Sequence, residues 1–442
     1  MTPASMSRRT LLGGALAGSA LALAGCSGGT KTDATSSGSS SSGGVVGKSD
    51  LTVYAWTNGP AIDANFKKSV DLFNKEYSGK FTAKINFLPY DQYWQKIQLQ
   101  YAANQPFDMY YWDVQAYAHY KKGLLQDLEP VVDGSDLTDS GKYPVDLFKP
   151  WRFDGKDLFA LPENIQSMSF FYNKTHFDKA GISYPDATWT WDKVQEAAQE
   201  LTQKSGGKVS RWGLDIGDLG VWWGLQTLAW AAGTAFFDKP LEPTQFKMTD
   251  PGVVGAMKFI QDLMWSKHIA PRPNERDANN QAGGFAGGVV SMMPGGTWNI
   301  TSYKQMKDEW DMAPLPLYQG KSVMPYWLGG WVIPKGSKAL SAADAFALWR
   351  ATKFQDQMAA DHDWIPVQNA ARTSSQMLNG MPAGFKAAMA ALPSAQIGDL
   401  YTANSQKILD QVFSPNLDNL FQNKKSPEDV ASAIQQGATA LL

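Results

Sequence analysis

The feature that most constrains the fold is an alternation of strand-like and helix-like segments at the start of the folded body. Residues 51–56 and 81–88 read as strands, and 107–112 is a fully apolar strand. Residues 62–77 carry apolar side chains at helical spacing, and 93–103 is also helical in pattern. Strand, helix, strand, helix, strand predicts an α/β fold with a parallel sheet and helices on its faces.

This alternation also indicates where a ligand would bind. In parallel sheets, ligands sit outside the carboxyl ends of the strands. Trp56 and Asn58 follow the first predicted strand, and Trp112 and Asp113 stand at the end of the third. Their position, rather than their residue type alone, makes all four candidates for a binding site.

A second α/β region is predicted from about residue 165 to residue 300. Its elements are the strands 168–172 and 289–293 and the helices 191–202, 222–232 and 253–265. Beyond it the sequence predicts a strand at 331–334, a helix at 342–353 and a largely helical last hundred residues. The chain is long enough for two or three domains.

The N-terminus has the form of an export signal, predicted over residues 1–25. Arg8 and Arg9 supply the positive charge, and the apolar stretch 11–24 is too short to span a bilayer. The stretch ends in Leu-Ala-Gly-Cys, which resembles a bacterial lipobox in which Cys26 would receive a diacylglycerol. The arginine pair partly matches a twin-arginine signal, so export by either the Tat or the Sec route stays open.

Cys26 is the only cysteine, so an internal disulfide is excluded and lipidation explains why the residue is there. Residues 27–47 are almost entirely Ser, Gly and Thr, a composition typical of a flexible coil, and we assign 26–49 as a tether. No later stretch is apolar enough to span a membrane. The lipid anchor is therefore the only membrane contact expected, on the extracytoplasmic face.

The composition points to a binding surface rich in aromatic residues rather than to a charged one. The net charge is −2 with no long run of one sign, which argues against a nucleic-acid partner. The chain carries 17 Trp, 16 Tyr and 21 Phe. Tryptophan is favoured at binding surfaces, so some of these rings are expected to line a site.

Several segments resemble the extracellular solute-binding proteins of the maltose-binding type. They occur in the family's order over most of residues 50–370 and include PFDMYYWDVQAYAHYKKGLLQDLEP, FAGGVVSMMPGGTW, WDMAPLPL, GGWVIPKGSK and IPVQNAA. The tail after about residue 370 departs from the family's pattern. The resemblance implies a two-lobed periplasmic-binding-protein-like fold with a hinge and a ligand cleft between the lobes.

On that resemblance, residues 50–130 and 308–355 form lobe 1, and residues 131–307 and 356–442 form lobe 2. The implied function is that of an extracytoplasmic substrate-binding protein of an ABC importer. It would capture a carbohydrate, favoured as a di- or oligosaccharide by the aromatic content, and deliver it to the transmembrane subunits of a permease. A separate ATPase would supply the energy, and the protein would act as a monomer without a cofactor.

The resemblance also assigns individual residues. Trp112 matches an aromatic residue at the end of the family's third strand, and Trp298 matches a tryptophan that stacks on sugar. Gln166 stands where the family often carries an acidic or amide ligand-binding residue. Asp113, beside Trp112, could accept hydrogen bonds from paired hydroxyls.

Further candidates rest on local pattern. Trp222 and Trp223 begin a helix, and one of them is expected to face the cleft. Glu163 and Asn164 lie near the predicted crossing between the lobes. The last group lies in a predicted glycine-rich turn, where the backbone could approach a ligand closely. It comprises Trp327, Gly329, Gly330 and Trp331.

Enzyme motifs are missing from the sequence, and we predict that the protein is not an enzyme. The four histidines form no HExxH or HxH pair, and there is no GxSxG elbow. The glycine-rich segment 283–288 lacks the Lys-Ser/Thr of a phosphate loop. Two alternatives remain: a secreted glycoside hydrolase, with Asp113 and Glu163 as its carboxylates, and a rigid lectin-like protein that binds sugar without a permease.

Overall fold

The computed structural model describes residues 49–57, 59–112, 114–153, 157–362 and 364–442. Asn58 and Asp113, two of the candidate site residues, lie outside the described residues. The predicted signal peptide, Cys26 and the tether lie outside them as well, apart from Ser49 at the tether's end.

The strands, numbered in chain order, form one large sheet and two small ones. They are β1 (Ser49–Trp56), β2 (Phe81–Leu88), β3 (Met109–Tyr111), β4 (Arg152–Phe153), β5 (Asp157–Leu158), β6 (Leu161–Asn173), β7 (Gln203–Ser205), β8 (Lys208–Arg211), β9 (Met292–Gly296), β10 (Trp310–Ala313), β11 (Pro325–Val332), β12 (Ile365–Pro366) and β13 (Gln396–Ile397). The large sheet has the order β10-β6-β11-β3-β1-β2, with β9 and β12 paired to β6 and β13 paired to β11.

The helices are likewise numbered in chain order. They are α1 (Pro60–Glu76), α2 (Tyr90–Ala102), α3 (Ala116–Lys121), α4 (Glu129–Val132), α5 (Lys174–Ala180), α6 (Trp191–Leu201), α7 (Trp222–Ala231), α8 (Pro251–Met264), α9 (Pro273–Gln281), α10 (Ile300–Tyr303), α11 (Leu340–Ala351), α12 (Gln355–Asp361), α13 (Asn369–Arg372), α14 (Ser375–Asn379), α15 (Phe385–Met389), α16 (Ser405–Ile408), α17 (Ser414–Phe421) and α18 (Pro427–Thr439).

The predicted parallel arrangement at the start of the body is confirmed. β1 pairs in parallel with β2 along its whole length and with β3 at Val53 and Tyr54. Leu51, Val53 and Ala55 are buried on the side facing the core, as the alternation of strand side chains requires. The intervening helices α1 and α2 begin two or three residues earlier than the sequence indicated, because Pro60 and the turn after Pro89 start them.

β6 is the strand that joins the two parts of the sheet. Its first half runs antiparallel to β11, with Gln166 opposite Trp327. Its second half pairs instead with β9 and β10, so that Phe170 lies opposite Pro294 on one side. All of its residues are buried. The sequence predicted only 168–172 as a strand, because the polar residues before Met168 interrupt the apolar run.

The hydrophobic interior divides at β6. The first core is drawn from residues 51–165, 324–367 and 392–401, the second from 168–315 and 400–438, and a small third core from 171, 285–312 and 359–388. Ile165 belongs to the first core and Met168 to the second, so the change of core occurs within three residues of one strand.

This division of the cores differs from the lobe boundaries expected from the resemblance. Residues between 132 and 165 pack in the first core, although they were assigned to lobe 2. Strand β10, assigned to lobe 1, pairs with the second half of β6. The boundaries therefore stay a prediction, and the packing favours placing the first change of lobe at residues 165–168.

The predicted glycine-rich turn is wrong: its residues belong to β11, an inner strand of the sheet. A Cβ on Gly329 would lie 2.1 Å from the Tyr111 hydroxyl, and one on Gly330 would lie 2.1 Å from the Leu161 carbonyl oxygen. The glycines serve close packing between strands, and the strand absorbs them with an irregularity in register between the two.

A buried ion pair fixes the first half of β6. The Glu163 carboxylate accepts hydrogen bonds from Arg350 Nε at 2.5 Å, from Arg350 Nη2 at 2.8 Å and from the Trp331 indole at 2.7 Å. Glu163 and Trp331 are fully buried, and Arg350 is 1% exposed. Three elements, β6, β11 and α11, therefore meet on one carboxylate.

Replacing Arg350 with Met should destabilise the fold by about 3–5 kcal/mol, because it leaves the Glu163 carboxylate buried without its counter-ion. The matched control is Lys142→Met, which removes the exposed ion pair with Asp136 and should cost less than about 1 kcal/mol. Urea unfolding of the three proteins measures both values. Equal losses in the two variants would contradict a stabilising role for the buried pair.

Candidate functional site

Three tryptophans come together where the first and second cores meet; we call Trp223, Trp298 and Trp327 the tryptophan cluster. Their ring centroids are 5.0 Å apart for Trp223 and Trp327, 5.5 Å for Trp298 and Trp327, and 5.6 Å for Trp223 and Trp298. Every pair is edge-to-face, with interplanar angles of 72–78°. All three rings are half-buried, unlike the core tryptophans.

The chain brings these rings together from three elements. Trp223 is the second residue of α7, Trp298 follows the end of β9, and Trp327 lies on β11. Glycines allow two rings to lie flat on the backbone: a Cβ on Gly296 would stand 2.1 Å from the Trp298 ring, and one on Gly398 would stand 2.3 Å from the Trp327 ring. The cluster also joins the cores, because Trp298 packs on the first core and the other two pack on the second.

A row of polar side chains runs beside the cluster; we call Asn164, Gln166 and Thr297 the amide row. The Thr297 hydroxyl donates to Gln166 Oε1 at 2.7 Å, and Gln166 Nε2 donates to Asn164 Oδ1 at 3.3 Å. Asn164 Nδ2 then donates to the Tyr111 hydroxyl at 2.7 Å. This chain of hydrogen bonds fixes the amide orientations and links the end of β3 to the turn before Trp298.

A second aromatic group stands at the other end of the row. The Trp56 ring is half-buried and meets Tyr111 at 4.9 Å between centroids, Tyr93 at 5.5 Å and Tyr90 at 5.6 Å. Tyr90 is 42% exposed, the most open of these rings. The amide row therefore runs from an aromatic group at the carboxyl ends of β1 and β3 to the tryptophan cluster.

Asp218 is a polar residue of this region that no sequence pattern marks. Its carboxylate accepts a hydrogen bond from the backbone N–H of Gly296 at 2.8 Å, which holds the turn that carries Thr297 and Trp298. Burial raises the pKa of Asp218 to about 6, although the Gly296 hydrogen bond and the charge of Arg276 act in the opposite direction. The partner lies 78 residues away in sequence, so no local motif marks the pair.

Several sequence candidates lie in the interior instead. Trp112 is 2% exposed and packs against Trp151 and Phe159. Its backbone N–H donates a hydrogen bond to the Gly330 carbonyl oxygen. Trp331 and Glu163 are the buried partners described above. Of the tryptophan pair that opens α7, Trp222 is 9% exposed and packs on Phe413, whereas Trp223 is in the cluster.

The described residues contain no group of three or more His, Cys, Asp or Glu side chains placed to hold a metal ion. Two histidines are buried, and burial lowers the pKa of both His119 and His176 to about 4, so both are neutral near pH 7. Among the helices of the described residues, none combines the length and the apolar character that crossing a bilayer requires.

Comparison with solved structures supports this architecture. The chain superposes on an ABC substrate-binding protein of Listeria monocytogenes solved with cycloalternan, with a TM-score of 0.78 and 20% identity over 89% of this chain and 98% of that one. The GacH receptor of Streptomyces glaucescens, solved unliganded and with acarbose, gives a TM-score of 0.74 and 23% identity over 89% and 98%. The predicted two-lobed α/β fold is therefore confirmed.

Sequence comparison gives further relatives. A maltodextrin-binding protein of Bacillus subtilis is 25% identical over 225 residues, and a maltotriose-binding protein of Pyrococcus abyssi is 26% identical over 229 residues. Each match covers 50% of this chain and about half of the relative, 52% and 46% respectively. The profile of the bacterial extracellular solute-binding proteins matches residues 49–356, most of the folded body. The chain belongs to this family of bacterial extracellular solute-binding proteins.

Proposed function

We propose that this protein is the extracytoplasmic substrate-binding protein of an ABC importer and that it captures a carbohydrate between its two lobes. The observation that carries the proposal is the tryptophan cluster, which packs half-buried at the junction of the two cores beside the amide row. Few other ligands need aromatic faces and fixed neutral polar groups side by side. A sugar needs both, because its C–H faces are apolar and its rim carries hydroxyls.

The aromatic rings and the amide side chains would contact different parts of the sugar. The faces of Trp298 and Trp327 would stack on sugar rings, while Trp56 and Tyr90 would cover the ligand from the first core. Gln166, which is 6% exposed, would exchange hydrogen bonds with the hydroxyls, while the fully buried Asn164 would hold the Gln166 amide in place. Since the amide row already holds these side chains in place, little side-chain entropy is lost on binding. Asn58 and Asp113, which follow β1 and β3, remain candidates for further contacts.

Two of three relatives found by sequence comparison are named for a sugar of more than one ring. The proteins from Bacillus subtilis and Pyrococcus abyssi are named for maltodextrin and maltotriose, and a third relative, from Pseudomonas aeruginosa, is named for mannitol. Three indoles in one cluster offer more stacking surface than a single ring uses, which supports a di- or oligosaccharide. A thermal-shift panel containing maltose, maltotriose and mannitol would identify the ligand, since a compound that binds only the folded state raises stability.

The hydrolase alternative loses support from the site. A glycosidase needs two carboxylates that reach the substrate. Glu163 is fully buried and is occupied by Arg350 and Trp331, so it cannot act as an acid or a nucleophile. Transport fits the family better: the loaded protein, a monomer, would dock on the transmembrane subunits of a permease whose separate ATPase supplies the energy.

Attachment to the membrane completes the proposal. The lipobox-like sequence before Cys26 favours a diacylglycerol on that cysteine after export by Tat or Sec. The Ser/Gly-rich segment that follows would act as a flexible tether of about 20 residues. A tethered binding protein stays close to its permease without a membrane-spanning helix.

Trp298→Ala should weaken sugar binding by roughly 1–3 kcal/mol, because it removes an aromatic platform from a half-buried site. Trp265→Ala is the matched control: that ring is also half-buried, but its indole donates to the Phe421 carbonyl oxygen, far from the cluster. Calorimetry should show unchanged affinity in the control. Unchanged affinity in a folded Trp298→Ala protein would remove this residue from the site.

Asp218 should make sugar affinity depend on pH. Protonation weakens the hydrogen bond that Asp218 accepts from the Gly296 N–H, because a neutral carboxyl is a poorer acceptor than a carboxylate, so affinity should fall as pH drops from about 7 to about 5, through the raised pKa near 6.

The contribution of Asp218 to the stability of the unliganded protein should change in the opposite direction, whereas His119 and His176, which the fold keeps neutral, make the whole protein less stable as pH falls over the same range. The folded state binds the Asp218 proton more tightly, because this carboxyl titrates at ~3.9 in the unfolded chain. The carboxyl therefore lowers the free energy of unfolding as pH rises between ~4 and ~6.

Asp218→Asn should abolish the affinity trend and remove this carboxyl's own contribution to the pH dependence of stability, and Asp410→Asn, which changes an exposed carboxyl, should preserve both. The charged or titratable groups that act on Asp218 are Asp215, Arg276 and Tyr303, and Arg276 is already paired with Asp215 at 3.0 Å. Calorimetric titrations across the pH range measure the affinity. A flat affinity profile in the unaltered protein would show that the Gly296 turn does not depend on the ionised carboxylate.

Cys26→Ala in the precursor should move the protein from the membrane fraction to the soluble extracytoplasmic fraction, because a thioether-linked lipid is the only anchor proposed. Cell fractionation and immunoblotting measure the distribution, and Ser27→Ala in the same segment serves as the control. A variant without Cys26 that stays in the membrane fraction would show that another surface holds the protein there.

A further inference from the structure

A short turn, residues 215–220, lies against the end of β9 and leads toward α7; we call it the aspartate turn. The Asp215 N–H donates to the Met292 carbonyl oxygen at 2.9 Å. A Cβ on Gly217 would stand 1.9 Å from the Pro294 carbonyl oxygen, and Gly217 has a φ of 51°, in the left-handed region that favours glycine. The backbone of the turn therefore lies directly on the end of the strand.

The aspartate turn connects two rings of the tryptophan cluster. Within the turn, Asp218 accepts the hydrogen bond from the Gly296 N–H, two residues before Trp298. At its far end the turn runs through Val221 into α7, whose second residue is Trp223. A displacement of the turn would therefore move both indoles, whose ring centroids are 5.6 Å apart.

Arg276 reaches the aspartate turn from α9, 59 residues along the chain from Gly217. Its Nη2 donates to the Gly217 carbonyl oxygen at 2.8 Å, and its Nε lies 3.0 Å from Asp215 Oδ1. Asp215 Oδ1 also accepts from the Gly217 N–H at 2.8 Å. The ion pair therefore occupies both backbone polar groups of this glycine, with contacts that are stronger than hydrogen bonds between neutral groups.

We propose that Arg276 is a positioning residue of the tryptophan cluster: it holds the aspartate turn against β9 and thereby sets where Trp223 and Trp298 stand. It acts through Asp215 and Gly217 rather than on a ligand. Its side chain is 32% exposed, so replacing it opens no cavity in the core. The effect on the cluster is a property of the unliganded chain, whereas the effect on sugar affinity rests on the proposed function.

The charge of Arg276 also acts on the carboxyl that holds Gly296. The charged or titratable groups around Asp218 are Asp215 in the same turn, Arg276 on α9 and Tyr303 on α10. Asp215 raises the pKa of Asp218, and Arg276 lowers it. Removal of the guanidinium should therefore raise the pKa of Asp218 above about 6, so that the hydrogen bond to Gly296 weakens at a higher pH.

The test is hydrogen exchange of the unliganded full chain between about pH 5 and about pH 8, read by NMR at the Gly296 amide and corrected for the intrinsic pH dependence of exchange. Arg276→Gln should lower the protection of this amide about tenfold or more at about pH 7 and move the midpoint of its pH dependence upward. Arg276→Lys should also lose protection, because an ammonium cannot reproduce both contacts, but should keep the midpoint near 6, because it keeps the charge.

Arg272→Gln is the matched control. It removes a positive charge from the N-terminus of the same helix, but this guanidinium lies over the Trp265 ring, 4.8 Å from its centroid. Both the protection of Gly296 and its midpoint should stay unchanged. Equal losses in Arg276→Gln and Arg272→Gln would overturn the inference. A uniform loss of protection along the chain of Arg276→Gln, with an unchanged midpoint, would show general destabilisation and overturn it as well.

Calorimetric titration with maltose, maltotriose and mannitol extends the test to binding. For a sugar that binds the unaltered protein, Arg276→Gln should weaken binding about tenfold or more at about pH 7, and the loss should shrink as the pH rises and Asp218 ionises again. Lost protection at Gly296, with no sugar bound by the unaltered protein, would support the positioning role and contradict the proposed function. Unchanged protection at Gly296 in a folded Arg276→Gln protein would overturn the inference whether or not a sugar binds.

Discussion

The structure depends on one strand, β6, that belongs to both cores. Its first half is fixed by the pairing with β11 and by the buried ion pair of Glu163 with Arg350, and its second half is fixed by β9 and β10. A slip of one residue would turn every side chain to the opposite face. Because the register is held at both ends, Asn164 and Gln166 stay on the face where Trp327 and Thr297 meet them, at the point where the chain passes between the cores.

The tryptophan cluster and the amide row suit a neutral, hydroxyl-rich ligand rather than an ion. The charged side chain that supports the cleft, Asp218, acts through the backbone of Gly296 and keeps its own charge partly buried.

Much of the fold could be predicted because its local patterns are strong. Residues 81–88 and the helix that Thr190 caps were predicted with nearly correct bounds, since alternation and capping are local signals. The sequence misplaced β11, because glycines that serve close strand packing look like turn residues when their neighbours are unknown. Trp223 and Trp298 were predicted candidates, but nothing local separates a half-buried indole from buried ones such as Trp331. Asp218 and the partners of Glu163 were beyond reach, because these contacts join residues far apart in the chain.

We propose that a sugar is held between two lobes that close on it, because a ligand that touches both cores shifts the population toward the closed form. Small-angle X-ray scattering of the full chain, with and without the sugar that raises its thermal stability, measures this directly. The radius of gyration should fall when that sugar is added and stay constant when a non-binding sugar is added. Sugar binding confirmed by calorimetry, with an unchanged radius of gyration, would contradict closure and favour a rigid lectin-like protein.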